Sequence, residues 1–168
     1  DLPQIVKSNS IEIFRRIGKV EAKVHGTTIN KIHFHEVGSI DSIIDIVGAS
    51  LGMNLLNADL AISSPINTGE GIVKCEHGTL PIPAPATLEL LKGIPCFSRG
   101  IEKELTTPTG AAFIAHFAKK FGSLPNMRLL STGYGAGTME IKEIPNLLRV
   151  VIGEINGPSQ NQPMKMIE

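Results

Sequence analysis

The hydrophobic pattern of this chain changes character near residue 56, and that change constrains the fold more than any single motif. Before it, apolar residues recur at helical spacing: Ile5, Ile11, Phe14, Ile17 and Val24, with Arg15, Arg16, Lys19 and Glu21 between them. After it, the apolar runs are short and broken by glycine and proline. A first helix is predicted from about Ile5 to Val24, capped by Ser8 or Ser10 and ended by Gly26. A second helix is predicted over residues 40–56. Between them, residues 31–37 alternate Ile32 and Phe34 with His33 and His35, which predicts a short strand.

The second stretch reads differently. Residues 59–67 are predicted as a strand opening into Asn67-Thr68-Gly69-Glu70-Gly71, with residues 72–77 returning as the other arm of a hairpin. Prolines 81, 83 and 85 lead into a helix over 85–92 that Gly93 ends, and Thr107-Pro108 begins another that ends near Phe121-Gly122. Strands are expected over 128–133 and 147–154. Helices mixed with hairpin-like strands predict an α+β fold, helices packed on a largely antiparallel sheet. We read residues 1–157 as a single α+β domain, part of a longer protein, and 158–168 as a linker or tail.

Composition excludes several functions. The chain has 168 residues, no Trp, one Tyr and six Phe, so its core must be aliphatic. Sixteen basic residues balance sixteen acidic ones, which gives no reason to expect a nucleic-acid partner. Every apolar stretch is interrupted below membrane-spanning length, so no membrane association is expected. The two cysteines, Cys75 and Cys96, fit reduced thiols in the cytoplasm better than a secreted disulfide scaffold. Cys96, in an apolar run, reads as a core residue.

The densest polar patch is His33-Phe34-His35-Glu36-Val37-Gly38, followed by Asp41 and Asp45. On a strand, His33 and His35 share a face and suit a borderline metal such as nickel, zinc or cobalt; two solvated histidines on an edge strand satisfy the same spacing. Asp41 and Asp45 lie one helical turn apart. Asp41 has a plain role near a helix N-terminus, whereas Asp45 sits among so many apolar residues that we expect it to be buried, either structurally paired or functional. Cys75 and His77 would share a strand face, and with the histidine pair they would make an N/S/O donor set. Thr106, Thr107, Thr109 and Gly110 open a helix whose N–H groups and hydroxyls suit phosphate; a simple N-cap at Thr107 explains most of the same pattern. Gly133-Tyr134-Gly135-Ala136-Gly137 lacks the spacing of a dinucleotide loop.

Several of these segments, in register, resemble one family. The run from His33 to Gly38 with Asp41, Asp45 and Ile46-Val47-Gly48 is similar to the signature of the nickel-insertion proteins called LarC. Ser64-Pro65-Ile66-Asn67-Thr68-Gly69, the segment from Val73 to Pro81, the run from Pro83 to Leu91, Gly93-Ile94-Pro95 and the stretch from Glu104 to Ala112 fit the same family. The resemblance covers about residues 1–155. It implies that the full-length protein is an enzyme, a lyase-type nickel chelatase or cyclometallase. Such proteins insert nickel into a pyridinium bisthiocarboxylate mononucleotide, using CTP with Mg or Mn, and the nickel-pincer product serves lactate racemase. It also implies an Asp- and Gly-rich segment before Asp1 and a C-terminal CTP-binding domain beyond Glu168, so this stretch alone is expected to be inactive.

Under the resemblance, His33, His35, Glu36, Cys75 and His77 become candidate nickel ligands. Asp41 and Asp45 become candidate catalytic carboxylates, and residues 106–110 the cradle for the substrate phosphate. A metal-dependent hydrolase and a non-enzymatic nickel-delivery module are the competing readings. Cut surfaces on such a part of a longer protein favour homo-oligomer formation.

Overall fold

The computed structural model describes residues 1–32, 40–75 and 78–155, and the backbone of 163–167. It is an α+β structure whose small sheets contain both parallel and antiparallel pairs. Contacts divide the chain into two compact units, residues 1–57 with 66–117, and residues 58–65 with 118–168.

In the first unit, α1 (Gln4–Val24) starts directly after Pro3, whose carbonyl accepts the N–H groups of Val6 and Lys7. The expected serine cap is not used. Ser10 lies inside the helix, buried, and its hydroxyl donates to the Val6 carbonyl at 2.8 Å. The other end closes as predicted: Gly26 takes φ +61°, and Thr27 N–H reaches the Ala22 carbonyl at 2.8 Å. A 3-10 turn, Ile29–Lys31, occupies the start of the predicted first strand, and residues 33–39 lie outside the described residues.

Helix α2 (Ile40–Leu56) has the predicted bounds. Helix α3 (Pro85–Leu90) and α4 (Pro108–Phe117) complete the helical layer, with α1 packing on all three others. Ile13 and Ile17 of α1, Ile46 of α2, Leu90 and Leu91, and Ala111 and Ala112 of α4 form its core. That core is aliphatic, with Phe14, Phe113 and Phe117 around it. Burying a side chain such as Ile13 or Ile17, each 0% exposed, stabilises by about 1.5–3 kcal/mol.

Hairpin pairing in this unit differs from expectation. Strand β3 (Ile72–Cys75) pairs antiparallel with the downstream β4 (Gly78–Pro81), not with the segment before the glycine-rich turn. That upstream segment splits at Ser64-Pro65. Its first part, β1 (Ala61–Ser63), belongs to the second unit; its second part, β2 (Ile66–Asn67), pairs in parallel with β5 (Cys96–Phe97).

The second unit is a five-stranded sheet of order β6-β1-β9-β8-β7. Strand β6 (Ala118–Phe121) occupies residues predicted as the end of a helix, because pairing in parallel with β1 satisfies its backbone there. Strands β7 (Arg128–Ala136) and β8 (Leu147–Glu154) form an antiparallel pair, and β9 (Pro163–Ile167), in the stretch read as linker, lies between β8 and β1. Buried Ile62 and Val151, with Leu60, Met127 and Ile155 against them, form its small core. β7 is an edge, and all nine of its residues are exposed.

Candidate functional site

The best-defined polar structure in the first unit is built where residues 67–71 lie against residues 97–107. The glycine-rich segment, expected to turn a hairpin, is instead docked. Asn67 Oδ1 accepts the Gly69 N–H at 3.3 Å, an Asx-type turn. Thr68 N–H donates to the Phe97 carbonyl at 3.0 Å, Glu70 N–H to Ile101 at 2.9 Å, and Leu105 N–H to the Thr68 carbonyl at 3.2 Å. The Glu70 carboxylate accepts from the Ser98 hydroxyl and, at 3.2 Å, from Gly100 N–H. Gly69 has φ +71°, and a Cβ there would stand 1.8 Å from the Lys103 carbonyl oxygen, so the two backbones approach this closely only with glycine.

This docking fixes the start of α4. Thr106 Oγ1 donates to the Asn67 carbonyl at 2.8 Å, tying the residue before the cap to the glycine-rich segment. Thr107 is the cap, its Oγ1 accepting Gly110 N–H at 3.3 Å and its carbonyl accepting Ala111 N–H at 2.9 Å. Pro108 has no N–H to offer. Thr107 thus engages the N–H groups of Gly110 and Ala111, and Thr109, half-buried, stands between Pro108 and Gly110 in the first turn.

The remaining predicted residues are placed as follows. Asp41 and Asp45 stand on α2, both exposed, so the expected burial of Asp45 is overturned. Of the apolar neighbours that suggested burial, Ile46 is buried at 1% exposure, but Ile43, Ile44 and Leu55 are exposed, Ile44 by 62%. Cys75 ends β3 and is half-buried, opposite Gly78. His33, His35, Glu36 and His77 lie outside the described residues. Among the described residues, no three His, Cys, Asp or Glu side chains gather closely enough to hold a metal ion. Cys96 is exposed rather than in the core: β5 is an edge of its two-stranded sheet, and the thiol donates to the Ile94 carbonyl at 3.3 Å. Partial desolvation of its sulfur pushes that thiol above its usual pKa.

Sequence reasoning reached Thr106, Thr107, Thr109 and Gly110 but missed that Asn67 and Thr68 tie the helix start down, through Thr106 Oγ1 and Leu105 N–H. Asn-x-Gly at 67–69 is a readable turn signal; its bonding to Leu105 and Thr106 is not, because the two segments are far apart along the chain. The described helices include none long and apolar enough to cross a membrane.

A docked glycine-rich loop bracing a capped helix start defines a polar site on an α+β unit, and the chain as a whole is similar to known proteins. The pattern that defines the nickel insertion protein family matches residues 1–168, and the chain belongs to that family. A relative in Desulfitobacterium hafniense (strain DSM 10664 / DCB-2) is 52% identical over 96% of this chain and 40% of its own length. One in Geobacillus kaustophilus (strain HTA426) is 47% identical over 92% of this chain and 38% of its own length. Both are named pyridinium-3,5-bisthiocarboxylic acid mononucleotide nickel insertion protein. The chain thus spans well under half the length of these relatives. No solved structure matches it.

Proposed function

We propose that this chain is the part of a nickel insertion protein that receives nickel and a pyridinium bisthiocarboxylate mononucleotide. The reading is carried by the family match along all 168 residues, together with the substrate in the relatives' names. In the full-length protein, nickel gains two bonds to thiocarboxylate sulfur and one to a ring carbon. That carbon gives up its proton, and the C–H electron pair becomes the metal–carbon bond. CTP, with Mg or Mn, drives the reaction at a site outside residues 1–168, so this chain alone binds without turning over. The overall chemistry is lyase-type and cytoplasmic, and the pincer product serves lactate racemase.

Each candidate residue has a role in this scheme. Thr109, braced by Thr106, Thr107 and Gly110, meets the single phosphate with its N–H and hydroxyl at the positive end of α4. Asp41 or Asp45 accepts the ring proton, their exposure on α2 leaving both open to a bound ligand. His33, His35, Glu36, Cys75 and His77 hold nickel until the sulfurs take it, since borderline imidazole and soft thiolate bind this ion without needing a rigid cage.

Calorimetric titration of the reduced chain with Ni²⁺, beside a His33→Ala/His35→Ala variant, tests the metal half. Binding by the wild type that the variant loses is expected; equal binding by both, or none, would sink it. A pyridinium mononucleotide tests the phosphate half. Thr109→Val should weaken its binding by about tenfold, the cost of one hydrogen bond to a charged group. Unchanged affinity would remove the cradle.

A further inference from the structure

Arg99 is a positioned cation whose guanidinium meets no anion among the described residues. The Glu70 carboxylate grips the chain on both sides of it, accepting from the Ser98 hydroxyl and, at 3.2 Å, from Gly100 N–H. The guanidinium does not pair with that carboxylate; it lies over the Phe97 ring, 4.9 Å from the centroid. Phe97 is fixed in turn, since Cys96–Phe97 pairs with Ile66–Asn67 and the Phe97 carbonyl accepts Thr68 N–H at 3.0 Å. Other exposed cations of this chain, Arg15, Lys23, Lys92 and Arg128, each face a carboxylate. Arg99 does not, although an acid holds both its neighbours. Stacking on an aromatic face restricts a guanidinium and leaves the N–H fork at its edge open, the form in which arginine receives an oxyanion bidentately.

We propose that Arg99 pairs with the phosphomonoester of the nucleotide at the start of α4 and so determines specificity for the phosphorylated substrate. The glycine-rich segment carries the inference. Its Asn67 carbonyl holds Thr106, and its Glu70 carboxylate holds Ser98 and Gly100. Three residues of chain separate those anchors, at most about 11 Å when fully extended, so one docked segment supports both the helix start and the stacked guanidinium. A helix start offers phosphate hydrogen bonds and a partial charge, which leave most of a phosphomonoester's charge unopposed. Arg99 adds a full charge and a fork matched to two phosphate oxygens. Glu70 is a positioning residue here: it fixes the backbone on either side of Arg99 and touches no substrate. The proposal deepens, and rests on, the placing of the substrate phosphate at α4.

Calorimetry on the 168-residue chain tests this with nicotinic acid mononucleotide and its dephosphorylated nucleoside, two ligands that share ring, carboxylate and ribose. The wild type should bind the mononucleotide more tightly. Arg99→Gln should weaken the mononucleotide about tenfold or more and leave the nucleoside unchanged. Lys103→Gln, which removes another exposed charge from the same segment, should change neither. Arg99 is exposed, so its Gln variant should keep the wild-type melting temperature, which separates lost binding from lost folding. Equal weakening of both ligands by Arg99→Gln overturns the proposal by placing the guanidinium on the carboxylate. Equal weakening of the mononucleotide by both variants overturns it by reducing the effect to diffuse charge. If Thr109→Val weakens the mononucleotide and Arg99→Gln does not, the role of Arg99 falls and the phosphate stays at α4. A wild type that binds the two ligands alike overturns both.

Discussion

Two glycines on this chain do opposite things, and substitution separates them. At Gly69, alanine would need both a left-handed backbone and the space occupied by the Lys103 carbonyl, 1.8 Å from its Cβ. Gly69→Ala should cost about 3 kcal/mol or more in denaturant unfolding. At Gly48, in regular helix with open space around it, alanine restricts the unfolded chain and meets nothing. Gly48→Ala should raise stability of the isolated chain by about 0.5–1 kcal/mol. Glu89 is a third residue with a measurable signature. It pairs with Lys23 across α1 and α3 and with Lys92, and the Lys23 hydrogen bond leads in holding its carboxyl below the usual carboxylate range. A depressed folded-state pKa contributes stability above the unfolded value, and that contribution is lost as pH falls through the folded one. The wild type should therefore lose melting temperature below about pH 4.5 slightly more steeply than Glu89→Gln, a small effect because the pair is solvated.

Among the elements, local pattern was enough where local forces decide. α2 and β8 have the bounds their sequences predict, and α1 ends in the glycine motif its sequence announces. Failures fall where a distant strand outvotes local preference. Ala118-Lys119-Lys120-Phe121 could continue α4, yet pairs with β1; residues 61–67 look like one strand, yet Ser64-Pro65 separates pieces with unrelated partners. Parallel pairing leaves no short-range signature, since its partners are joined by long crossovers. The candidate site was legible to the same degree. The Thr107-Pro108 helix start can be read directly, whereas the contacts that brace it come from the distant Asn67 and Thr68. Asp45 is exposed although its neighbours in sequence are apolar, because an apolar neighbourhood along the chain does not make an apolar environment in space. Thr107→Ala should cost about 1 kcal/mol by urea denaturation, the usual loss of an N-cap. Thr107→Ser, which keeps the acceptor oxygen, should restore most of it.

At the scale of the whole molecule, the lack of tryptophan and the scarcity of tyrosine are matched by an aliphatic helical core in the first unit. The second unit has, among its described residues, a sheet with a much smaller core and no helix of its own. Its two edges are unlike. β6 presents exposed Lys119 and Lys120, charges that discourage another strand from joining. β7 carries one charge, Arg128, engaged with Glu154, and then runs on through Leu129, Leu130 and Tyr134 without another. A long strand of this kind, with one side unpaired among the described residues, is a template. Stored concentrated, the chain should gel or shed fibrils from that rim, with growth seeded by a peptide of the β7 sequence. Tyr134→Lys should lengthen the lag before thioflavin fluorescence rises and leave the melting temperature nearly unchanged. Shelf life, rather than folding, is where that bare rim would first be felt.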